Sequence, residues 1–371
     1  MMSSVPGAFA VPTECRCRAA MTPGAPFQQH TITRRACTDT DVAIDIKYAG
    51  ICHSDIHQVK EEWGKGIFPM VPGHEIAGIV VAVGSKVSKF SIGQRVGVGC
   101  MVGSCGECHN CKRGVEQYCD SGMVGTYNSR QKYPHMAEYA SEPGGAPTYG
   151  GYSKSIVVDQ GFVVTIPENL DMAAAAPLLC AGITTYSPFI HYGLRPHHKV
   201  AIMGLGGLGH MGAKLAVAMG CDVTIISRGQ AKRESALNDL KVHHYLDSKD
   251  PEQLKAAANT FDFILDTVSA DHDINMYMGL LCTDGKLCIV GAPPATDKFS
   301  IRAPTLFLGR RTMCGSLIGG VRETQDMLDF CGRHNITCDI ELITADQIDK
   351  AYDRTIAADV KYRFVIDAST I

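Results

Sequence analysis

The chain has 371 residues, 45% of them apolar and 20% charged, which is enough apolar material for more than one packed core. The formal net charge of -3 argues against partners held by electrostatic attraction, such as nucleic acid or anionic lipid. No apolar run reaches the ~18 residues of a membrane span, so we expect no membrane partner.

The N-terminal stretch MMSSVPGAFAVPTECRCRAA contains Arg16 and Arg18, with Glu14 as its only acid. It lacks the basic start and apolar core of a secretory signal and bears only a weak likeness to an organellar transit peptide. We therefore expect a frayed tail on a cytoplasmic protein. Because disulfide bonds are disfavoured in a reducing compartment, clusters among the 16 cysteines favour metal binding.

Three residues that are distant in the sequence form a candidate metal site. They are Cys52 in the stretch GICHSDIH, His74 in VPGHEIAG and Cys180 in PLLCAGITTY. Each is weak evidence alone, because a lone cysteine in an apolar run is more often a core residue. Together, two cysteines and one histidine are the ligand type of a catalytic zinc with an open fourth position, which polarises a carbonyl group or lowers the pKa of a bound alcohol. Glu75 could act as an outer contact or a transient fourth ligand.

Ser54 and His57, close to Cys52 in the sequence, form a candidate proton relay. An alcohol at such a site must lose its proton to bulk water, and a hydroxyl group leading to an imidazole can carry it. The spacing leaves open the alternative that Ser54 caps a turn and that His57 lies at the surface. Asp55, between them, is expected to orient a ligand or a nearby cation.

The stretch IAGIVVAVGSKVSKFSIGQRVGVG lacks long helical periods and predicts a β-rich domain. The loop CGECHNCKRGVEQYC follows, with Cys105, Cys108, Cys111 and Cys119. Four thiolates at this spacing fill the tetrahedral shell of Zn²⁺ and leave no position for a substrate. An iron–sulfur cluster can use similar spacing, but the Cys-Pro step that usually ends ferredoxin-like runs is missing. We therefore predict a structural zinc site that staples the loop.

The stretch KVAIMGLGGLGHMGAKLAVAMGCDVTIISR predicts a strand, a glycine-rich loop, a helix and a second strand. Gly204, Gly206 and Gly209 satisfy the G-x-G-x-x-G pattern in this context. They would allow a tight turn, close approach of a pyrophosphate to the backbone, and packing of the helix on the strand. The loop expected to contact a dinucleotide comprises Gly204, Leu205, Gly206, Gly207, Leu208 and Gly209.

The end of the second strand selects the coenzyme. A carboxylate there would bind the ribose 2′-hydroxyl group of NAD. The chain instead has SRGQAKR, with Ser227, Arg228 and Lys232 and no acid before Glu234. These groups suit a 2′-phosphate and favour NADP(H), whereas the alternative is a solvated basic helix start.

The stretches FDFILDTV, KLCIVGAP and KYRFVID predict further buried strands. The alternation of strands and helices from about residue 175 to about residue 310 fits a parallel, doubly wound sheet. The predicted domains are residues 1–172 with both metal sites, residues 173–312 with the coenzyme site, and residues 313–371, which return to the first domain.

With these motifs the chain resembles the medium-chain dehydrogenase/reductase superfamily of zinc alcohol dehydrogenases, and within it the cinnamyl alcohol dehydrogenase group. The resemblance extends from about residue 35 to about residue 367 and includes WGKGIFPMVPGHEIAG, LLCAGITTYSP and ETQDMLDFC. It implies an α/β protein with a GroES-like β-rich catalytic domain, a Rossmann coenzyme domain with a doubly wound parallel sheet, and a homodimer.

The resemblance also implies residue roles. It places catalytic zinc on the three ligands named above with Glu75 nearby, assigns the relay to Ser54 and His57, and puts Trp63, which otherwise reads as a core residue, in the substrate pocket. The positions at which NADP-binding members contact the 2′-phosphate are Ser227, Arg228 and Lys232. An N-terminal extension and extra loop-like residues at 128–148, near the expected pocket mouth, depart from the family pattern and leave substrate specificity open.

The resulting hypothesis is a zinc-dependent alcohol dehydrogenase or aldehyde reductase that transfers a hydride between NADP(H) and a primary alcohol or aldehyde, with aromatic or allylic substrates among the candidates. It would hold two zinc ions per chain, one catalytic and one structural. An NAD-dependent polyol or formaldehyde-type dehydrogenase of the same superfamily is an alternative, against which the basic segment and Trp63 count. A non-catalytic scaffold that keeps the fold is a third hypothesis, which the intact zinc ligands oppose.

Overall fold

The computed structural model describes residues 12–136, 144–293 and 298–371. Its strands are β1 (Thr13–Ala19), β2 (Gln28–Arg34), β3 (Asp41–Ile51), β4 (Ile76–Val83), β5 (Arg95–Val98), β6 (Met101–Gly103), β7 (Val124–Gly125), β8 (Ser155–Asp159), β9 (Val164–Thr165), β10 (Lys199–Met203), β11 (Asp222–Ser227), β12 (His244–Asp247), β13 (Phe261–Asp266), β14 (Leu281–Ile289), β15 (Thr312–Gly315), β16 (Ile340–Ile343) and β17 (Arg363–Asp367).

The α-helices are α1 (His53–Val59), α2 (His109–Lys112), α3 (Met172–Ala175), α4 (Ala181–His191), α5 (Gly209–Ala218), α6 (Pro251–Ala256), α7 (Ile274–Met278), α8 (Ala303–Phe307), α9 (Val321–His334) and α10 (Ile348–Ile356). Short 3₁₀ helices cover Glu116–Tyr118, Gln160–Phe162, Ala176–Leu179, Ala345–Gln347 and Ala368–Thr370, and Ser235–Asp239 forms a π-helical turn. Within the described ranges no single helix is long and apolar enough to cross a membrane, and only the bent pair Met172–Leu179 and Ala181–His191 reaches that length and composition together.

The chain divides into two compact units. The first comprises Met1–Cys180 and Gly319–Ile371, and the second comprises Ala181–Ile318. Both divisions fall later in the chain than positions 172 and 312, at which the sequence places them. Residues 173–180 stay with the first unit because α3 and the 3₁₀ helix after it pack on β3 and β4. The second unit extends past residue 312 because β15 is its last strand.

The first unit contains the predicted β-rich domain. Its main sheet has the strand order β16-β17-β3-β4-β5-β9, and β8 also pairs with β3. All of these pairs are antiparallel except β16 with β17. The core of the sheet is built from fully buried side chains such as Ile44, Ile46, Ile76 and Phe364. This sheet forms the framework on which the candidate metal ligands are carried.

The N-terminal segment is part of this framework, so the expectation of a frayed tail is wrong for residues 13–19. Strand β1 pairs antiparallel with β2 from Thr13 opposite Arg34 to Ala19 opposite Gln28. The side chains of Cys15, Cys17 and Ala19 are buried in the core. The signal missed in the sequence is their alternation, which is the period of a half-buried strand. Residues 1–11 lie outside the described residues.

The extra residues at 128–148 are described in part. The two described arms pair with each other, because Gln131 N–H donates to Ala146 O at 3.0 Å and Thr148 N–H donates to Ser129 O at 2.8 Å. Asn128 joins this segment to the chain beyond α1, since its side-chain oxygen accepts from Ile67 N–H at 2.7 Å. Residues 137–143 lie outside the described residues, and the expected place of the insertion at a pocket mouth stays a prediction.

The second unit is the predicted doubly wound domain. Its six strands are all parallel, in the order β12-β11-β10-β13-β14-β15. Counted within the unit this order is 3-2-1-4-5-6, which is that of the Rossmann fold. In such sheets a dinucleotide binds outside the carboxyl ends of the strands where the order reverses, here between β10 and β13. The glycine-rich loop follows β10 and therefore lies at this point.

Arg34 ties the N-terminal hairpin to the first unit, and its removal tests the importance of the hairpin. The buried guanidinium donates to Tyr149 O at 2.8 Å, Gly150 O at 3.0 Å and Ser153 Oγ at 2.8 Å. Arg34→Met keeps an apolar stem but removes these three hydrogen bonds, so we expect the free energy of unfolding to fall by about 2 kcal/mol. Urea denaturation measures it, with Arg16→Met on the exposed face of β1 as the control. Equal losses in the two variants would contradict this role.

Candidate metal centres and coenzyme site

Two strand ends bring the candidate catalytic ligands together. Ala49 near the end of β3 is paired with Ile76 at the start of β4. The residues that follow β3 and those that precede β4 therefore lie at the same end of this strand pair. Cys52 follows β3 and caps the N-terminus of α1, while His74 directly precedes Glu75 and β4. The third ligand, Cys180, comes immediately after the 3₁₀ helix that packs on the same sheet.

The geometry of this cluster fits zinc. One ligand atom from each of Cys52, His74, Glu75 and Cys180 lies within 4.8 Å of all the others, and all four residues are buried. The Sγ atoms of Cys52 and Cys180 are 3.9 Å apart. Two thiolates bound to one tetrahedral zinc at about 2.3 Å each would be separated by about 3.8 Å. The cluster therefore has the donor set and the spacing of a metal centre.

Asp55 fixes two of the ligands. Its carboxylate is completely buried, accepts from Cys52 N–H at 2.8 Å and from Gly73 N–H at 3.2 Å, and lies 3.1 Å from Nδ1 of His74. This pairing assigns the imidazole proton to Nδ1 and leaves Nε2 as the nitrogen available to a metal. A carboxylate behind a histidine ligand also raises its basicity. These are the contacts that the expected orienting role of Asp55 requires.

Glu75 is held beside the cluster by a residue that the sequence analysis did not single out. The buried guanidinium of Arg363 on β17 pairs with Glu75 Oε1. The other oxygen, Oε2, is buried and has no hydrogen-bond partner among the described residues. A Cβ atom at position 50 would lie 1.9 Å from it, so only a glycine, Gly50, leaves room for this carboxylate. An orphaned anionic oxygen next to three metal ligands is the feature expected beside a cation.

The charges around the two sulfurs favour a metal. A hydrogen bond with Cys180 and the charge of Arg363 hold the pKa of the Cys52 thiol well below its ordinary value, against the effect of burial. The pKa of the Cys180 thiol is well above its ordinary value because it bonds to the sulfurs of Cys100 and Cys52 and is buried. The Cys52 sulfur therefore holds a proton less tightly than the Cys180 sulfur does. Binding of a divalent cation would displace a proton from either sulfur.

The candidate relay residues lie on α1 in an unexpected setting. Ser54 is inside the helix and does not cap it; its Oγ lies 3.5 Å from Cys52 Sγ. His57 is buried, at 7% exposure, and its Nδ1 pairs with the carboxylate of Glu62. Trp63 stacks on the imidazole with ring centroids 4.7 Å apart. His57 Nε2 is buried without a hydrogen-bond partner within the described part of the chain, so it is the atom available to accept a proton.

The four-cysteine loop forms a second cluster. Sulfur atoms of Cys105, Cys108, Cys111 and Cys119 all lie within 4.8 Å of one another. Backbone N–H groups point at the sulfurs at 3.4 Å, from Cys108 to Cys105 Sγ, from Cys111 to Cys108 Sγ and from Cys105 to Cys119 Sγ. Such bonds stabilise thiolates. Although burial acts in the opposite direction, the N–H of Cys105 and the hydroxyl of Tyr133 lower the pKa of Cys119 to about 6.

This second set of donors differs from the first in having four thiolates and no nearby carboxylate among its members. Four sulfurs complete a tetrahedral zinc shell, so the site is closed to substrate. The first cluster offers two sulfurs, one imidazole and a carboxylate that is paired with Arg363. The four-cysteine cluster thus has the donor chemistry of a structural metal site, and the cluster of Cys52, His74 and Cys180 has that of an open site.

The glycine-rich loop has the shape that a pyrophosphate requires. A Cβ atom added at Gly206 would meet nothing within 4 Å, so the space beside this backbone is free for a ligand. The helix α5 begins at Gly209, directly after the loop, and its N-terminal N–H groups form an anion site. The loop, helix and parallel sheet together match the dinucleotide fingerprint.

The basic residues after β11 lie beside that loop. Ser227 ends the strand, Arg228 is exposed, and Lys232 Nζ donates to Leu205 O in the glycine loop at 2.6 Å. Burial and the neighbouring Arg228 lower the pKa of Lys232. An anion bound at this position would act in the opposite direction and stabilise the charged lysine. Asp247, at the end of β12, braces the segment by accepting from Gly229 N–H at 2.8 Å.

Three residues of these sites escaped the sequence analysis: Arg363, Glu62 and Asp247. Each is a charged residue whose partner is known only from the fold. The sequence signal for Arg363 is a cation at the start of the predicted buried strand in KYRFVID. Glu62 and Asp247 carry no comparable signal, because acids in turns and at strand ends are common.

Comparison with protein-family models agrees with this geometry. The model of the alcohol dehydrogenase GroES-like domain matches residues 38–168, in the first unit. The model of the zinc-binding dehydrogenase domain matches residues 207–333. The β-rich sheet with two sulfur-rich clusters and the doubly wound sheet thus both have counterparts in one family.

Individual proteins are similar over nearly the whole chain. A probable formaldehyde dehydrogenase of Bacillus subtilis is 54% identical, covering 94% of this chain and 95% of that protein. NADP-dependent alcohol dehydrogenase C 1 of Mycolicibacterium smegmatis is 52% identical, covering 95% of this chain and 97% of that protein. A solved cinnamyl alcohol dehydrogenase of Sorghum bicolor has a TM-score of 0.90 and 42% identity, covering 96% of this chain and 98% of that chain. The chain therefore belongs to the zinc-dependent medium-chain alcohol dehydrogenases and resembles their cinnamyl alcohol dehydrogenase group.

Proposed function

We propose that this chain catalyses the reversible, NADP(H)-dependent reduction of an aldehyde to a primary alcohol. The observation that carries the proposal is the buried set of Cys52, His74 and Cys180, beside which Arg363 holds the carboxylate of Glu75. Three protein ligands leave one coordination position for the oxygen of a substrate. When bound there, zinc supplies Lewis-acid polarisation of that oxygen, and the coenzyme supplies or accepts the hydride.

The protein's own groups organise this site. Asp55 keeps the proton of His74 on Nδ1 and holds Cys52 in place through its backbone N–H. Arg363 balances the charge of Glu75, which reduces the repulsion between this carboxylate and the sulfurs of Cys52 and Cys180. A carboxylate oxygen of Glu75 lies within 4.8 Å of the other three ligand atoms, so Glu75 would be available as a transient fourth ligand of a zinc held there. The site is thereby preorganised before any substrate arrives.

The proton of the alcohol leaves through Ser54 and His57. Ser54 Oγ is next to the sulfur of Cys52, so its hydroxyl group can receive a proton from an oxygen at the open position. The pairing of Glu62 with His57 Nδ1 makes Nε2 the proton acceptor, as an acid does for a catalytic histidine in general. No hydrogen bond joins Ser54 to His57 in the described structure, so a water molecule or a ligand hydroxyl group completes the path. Glu62 is 39% exposed and connects the path to solvent.

The coenzyme is NADP(H), bound by the glycine loop and by Ser227, Arg228 and Lys232. The two cations and the hydroxyl group can donate charge-assisted hydrogen bonds to a 2′-phosphate. A carboxylate suited to the ribose of NAD is missing from the end of β11. The relative from Mycolicibacterium smegmatis, which is named as NADP-dependent, supports this assignment.

Two substrate classes compete. The likeness to a cinnamyl alcohol dehydrogenase and the aromatic surface of Trp63 favour aromatic or allylic aldehydes. The name of the relative from Bacillus subtilis favours formaldehyde as a second candidate. Oxidation of NADPH and of NADH with formaldehyde and with aliphatic, terpenoid and aromatic aldehydes tests the proposal. Turnover of none of these aldehydes would overturn it, and a preference for formaldehyde would select the second candidate.

The active form is a homodimer located in the cytoplasm. Among the described strands, β15 has a neighbour on one side only, which leaves an open sheet edge. Exposed apolar side chains lie on this strand and close to it in the sequence: Phe307, Leu308, Met313 and Leu317. An edge strand with apolar neighbours is a pairing surface for a second copy. The 16 free cysteines, seven of them in or beside the two clusters, suit a reducing compartment.

The two clusters are expected to hold two zinc ions with different functions. Cys180→Ala removes a ligand of the open site and should abolish turnover while the fold and one zinc remain. Cys108→Ala removes a ligand of the closed site, which contributes folding energy, so thermal stability and soluble yield should fall. Elemental analysis and thermal unfolding measure these effects. Two variants that both kept a stable fold and lost only activity would contradict the division of function.

The relay predicts graded losses of activity. Ser54→Ala should lower kcat by about 10²- to 10⁴-fold with coenzyme binding preserved, and His57→Ala should cost less because water can replace it. Both variants should alter the pH–rate profile, which a purely structural effect would not do. Lys60→Ala, exposed at the end of α1, is the control and should behave as the wild type. Unchanged pH–rate profiles in both relay variants would argue against this path.

The choice of coenzyme is expected to depend on Arg228. Each good charged contact to the 2′-phosphate should contribute about 1.5–3 kcal/mol. Arg228→Asp repels the phosphate and can accept from the ribose hydroxyl groups of NAD, so the ratio of kcat/KM for the two coenzymes should reverse. Arg233→Asp, an exposed change nearby, is the matched control and should keep the preference for NADPH. A wild type that used NADH as efficiently as NADPH would contradict this assignment. It would support the alternative, in which the basic segment is a solvated helix start.

A further inference from the structure

A buried acid–histidine pair lies in the coenzyme unit, separate from both metal clusters. Asp266 ends β13 and its side chain is completely buried. One carboxylate oxygen accepts from Val268 N–H at 3.0 Å, and the other lies 2.9 Å from Nε2 of His272, whose side chain is 10% exposed. The pair therefore closes the loop of residues 267–273 between β13 and α7 upon itself.

Both ring nitrogens of His272 face acceptors. Nε2 faces the carboxylate of Asp266, and Nδ1 lies 2.8 Å from the carbonyl oxygen of Ala270. A neutral imidazole has one N–H and can satisfy only one of these acceptors, whereas an imidazolium satisfies both. A buried carboxylate also requires a cationic partner to offset its desolvation. The geometry therefore indicates that His272 is held as a cation.

The loop that this pair closes packs against the glycine loop. Thr267 Oγ1 donates to Met203 O, at the end of β10, at 2.6 Å. A Cβ atom on Gly204 would lie 3.0 Å from Thr267 Oγ1 and 3.2 Å from Val268 Cγ2. The same Val268 donates its N–H to Asp266. The position of the glycine loop thus depends on a backbone that the acid–histidine pair holds.

We propose that His272, held as an imidazolium by Asp266, is a positioning residue of the coenzyme site, which fixes the loop of residues 267–273 against the glycine loop and raises the affinity for NADP(H). Its cation also lies on the carboxyl edge of the sheet, where the phosphates bind. The inference rests on the proposed use of NADP(H). It makes coenzyme affinity sensitive to the protonation of a residue outside the catalytic machinery.

The direction of the pH effect follows from the contacts. The hydrogen bond with Asp266 raises the pKa of His272 despite burial, and the Ala270 carbonyl and Asp271 act in the same direction. A group whose pKa is raised in the folded state stabilises that state below its unfolded pKa, and the contribution is lost as pH rises through the folded value. Coenzyme affinity should therefore be highest in mildly acidic solution and fall on the alkaline side of the ordinary histidine pKa of about 6.5.

Other charged groups surround the pair. Asp271 and Asp273 lie on the same loop, and hydrogen bonds from Asn275 keep the pKa of Asp273 low, so both favour the cation. The ring of Tyr277 on α7 is 5.7 Å from that of His272, and burial raises its pKa, so it stays neutral. Two arginines, Arg228 and Arg302, act on Tyr277 and Asp273, at the margin of the cluster. None of these groups reverses the expected direction.

The test compares NADPH dissociation constants of the wild type and of His272→Gln by coenzyme fluorescence, from about pH 6.5 to about pH 9.5. Glutamine can still donate to Asp266 but does not titrate. The wild-type affinity should fall by about tenfold across this range, as expected for loss of one charge-assisted hydrogen bond. His272→Gln should bind about tenfold more weakly than the wild type at the acidic end and lose the fall in affinity that depends on His272, keeping only the titration of Lys232 that both proteins share.

His244→Gln is the matched control. Its Nε2 pairs with Asp222 Oδ1 at 3.1 Å, but this pair lies at the amino ends of β11 and β12, away from the coenzyme edge. It should leave both affinity and pH profile unchanged, and Asp266→Asn should remove the same part of the pH dependence as His272→Gln does. Wild-type affinity and pH dependence in His272→Gln would overturn the inference while leaving the proposed function intact. A wild type that did not bind NADPH would overturn both.

Discussion

The carboxylate of Asp55 is the interaction on which the candidate catalytic centre depends. It is completely buried, and its charge is met by the backbone N–H groups of Cys52 and Gly73, by the imidazole of His74 and by the hydroxyl group of Tyr152. The carboxylate of Asp55 therefore fixes the turn after β3, the turn before β4 and the tautomer of His74. The cost of burying it is offset only while these donors converge, so the metal ligands and the fold of this corner are stabilised together.

The two units divide the chemistry. The first carries both sulfur-rich clusters, the open one at the ends of β3 and β4 of the main sheet and the closed one between β6 and β7. The open cluster differs from the closed one by a histidine and by a carboxylate held on Arg363. The second carries a parallel sheet whose carboxyl edge presents free N–H groups and cations to phosphates. Electrostatics thus separates an anionic site suited to a divalent metal from a cationic site suited to a dinucleotide.

Features that are contiguous in the sequence were predictable, and features made by tertiary pairing were not. The glycine loop, the four-cysteine loop and the strand before the glycine loop each carry their signal within a few residues, and the structure has that strand at Lys199–Met203. The pairing of Arg363 with Glu75 joins residues from distant parts of the chain, and no local pattern marks it. The burial of Cys15 and Cys17 was missed because a short alternating stretch resembles a tail until its partner strand is known.

The central claim is that the cluster of Cys52, His74 and Cys180 holds an exchangeable zinc on which aldehyde reduction depends. The most direct measurement is NADPH-dependent aldehyde reduction before and after selective removal of that metal with a chelator, and again after zinc is restored. The account predicts that activity is lost and then recovered while NADPH binding and the circular dichroism spectrum stay unchanged. Full activity after the open site has lost its metal would contradict it.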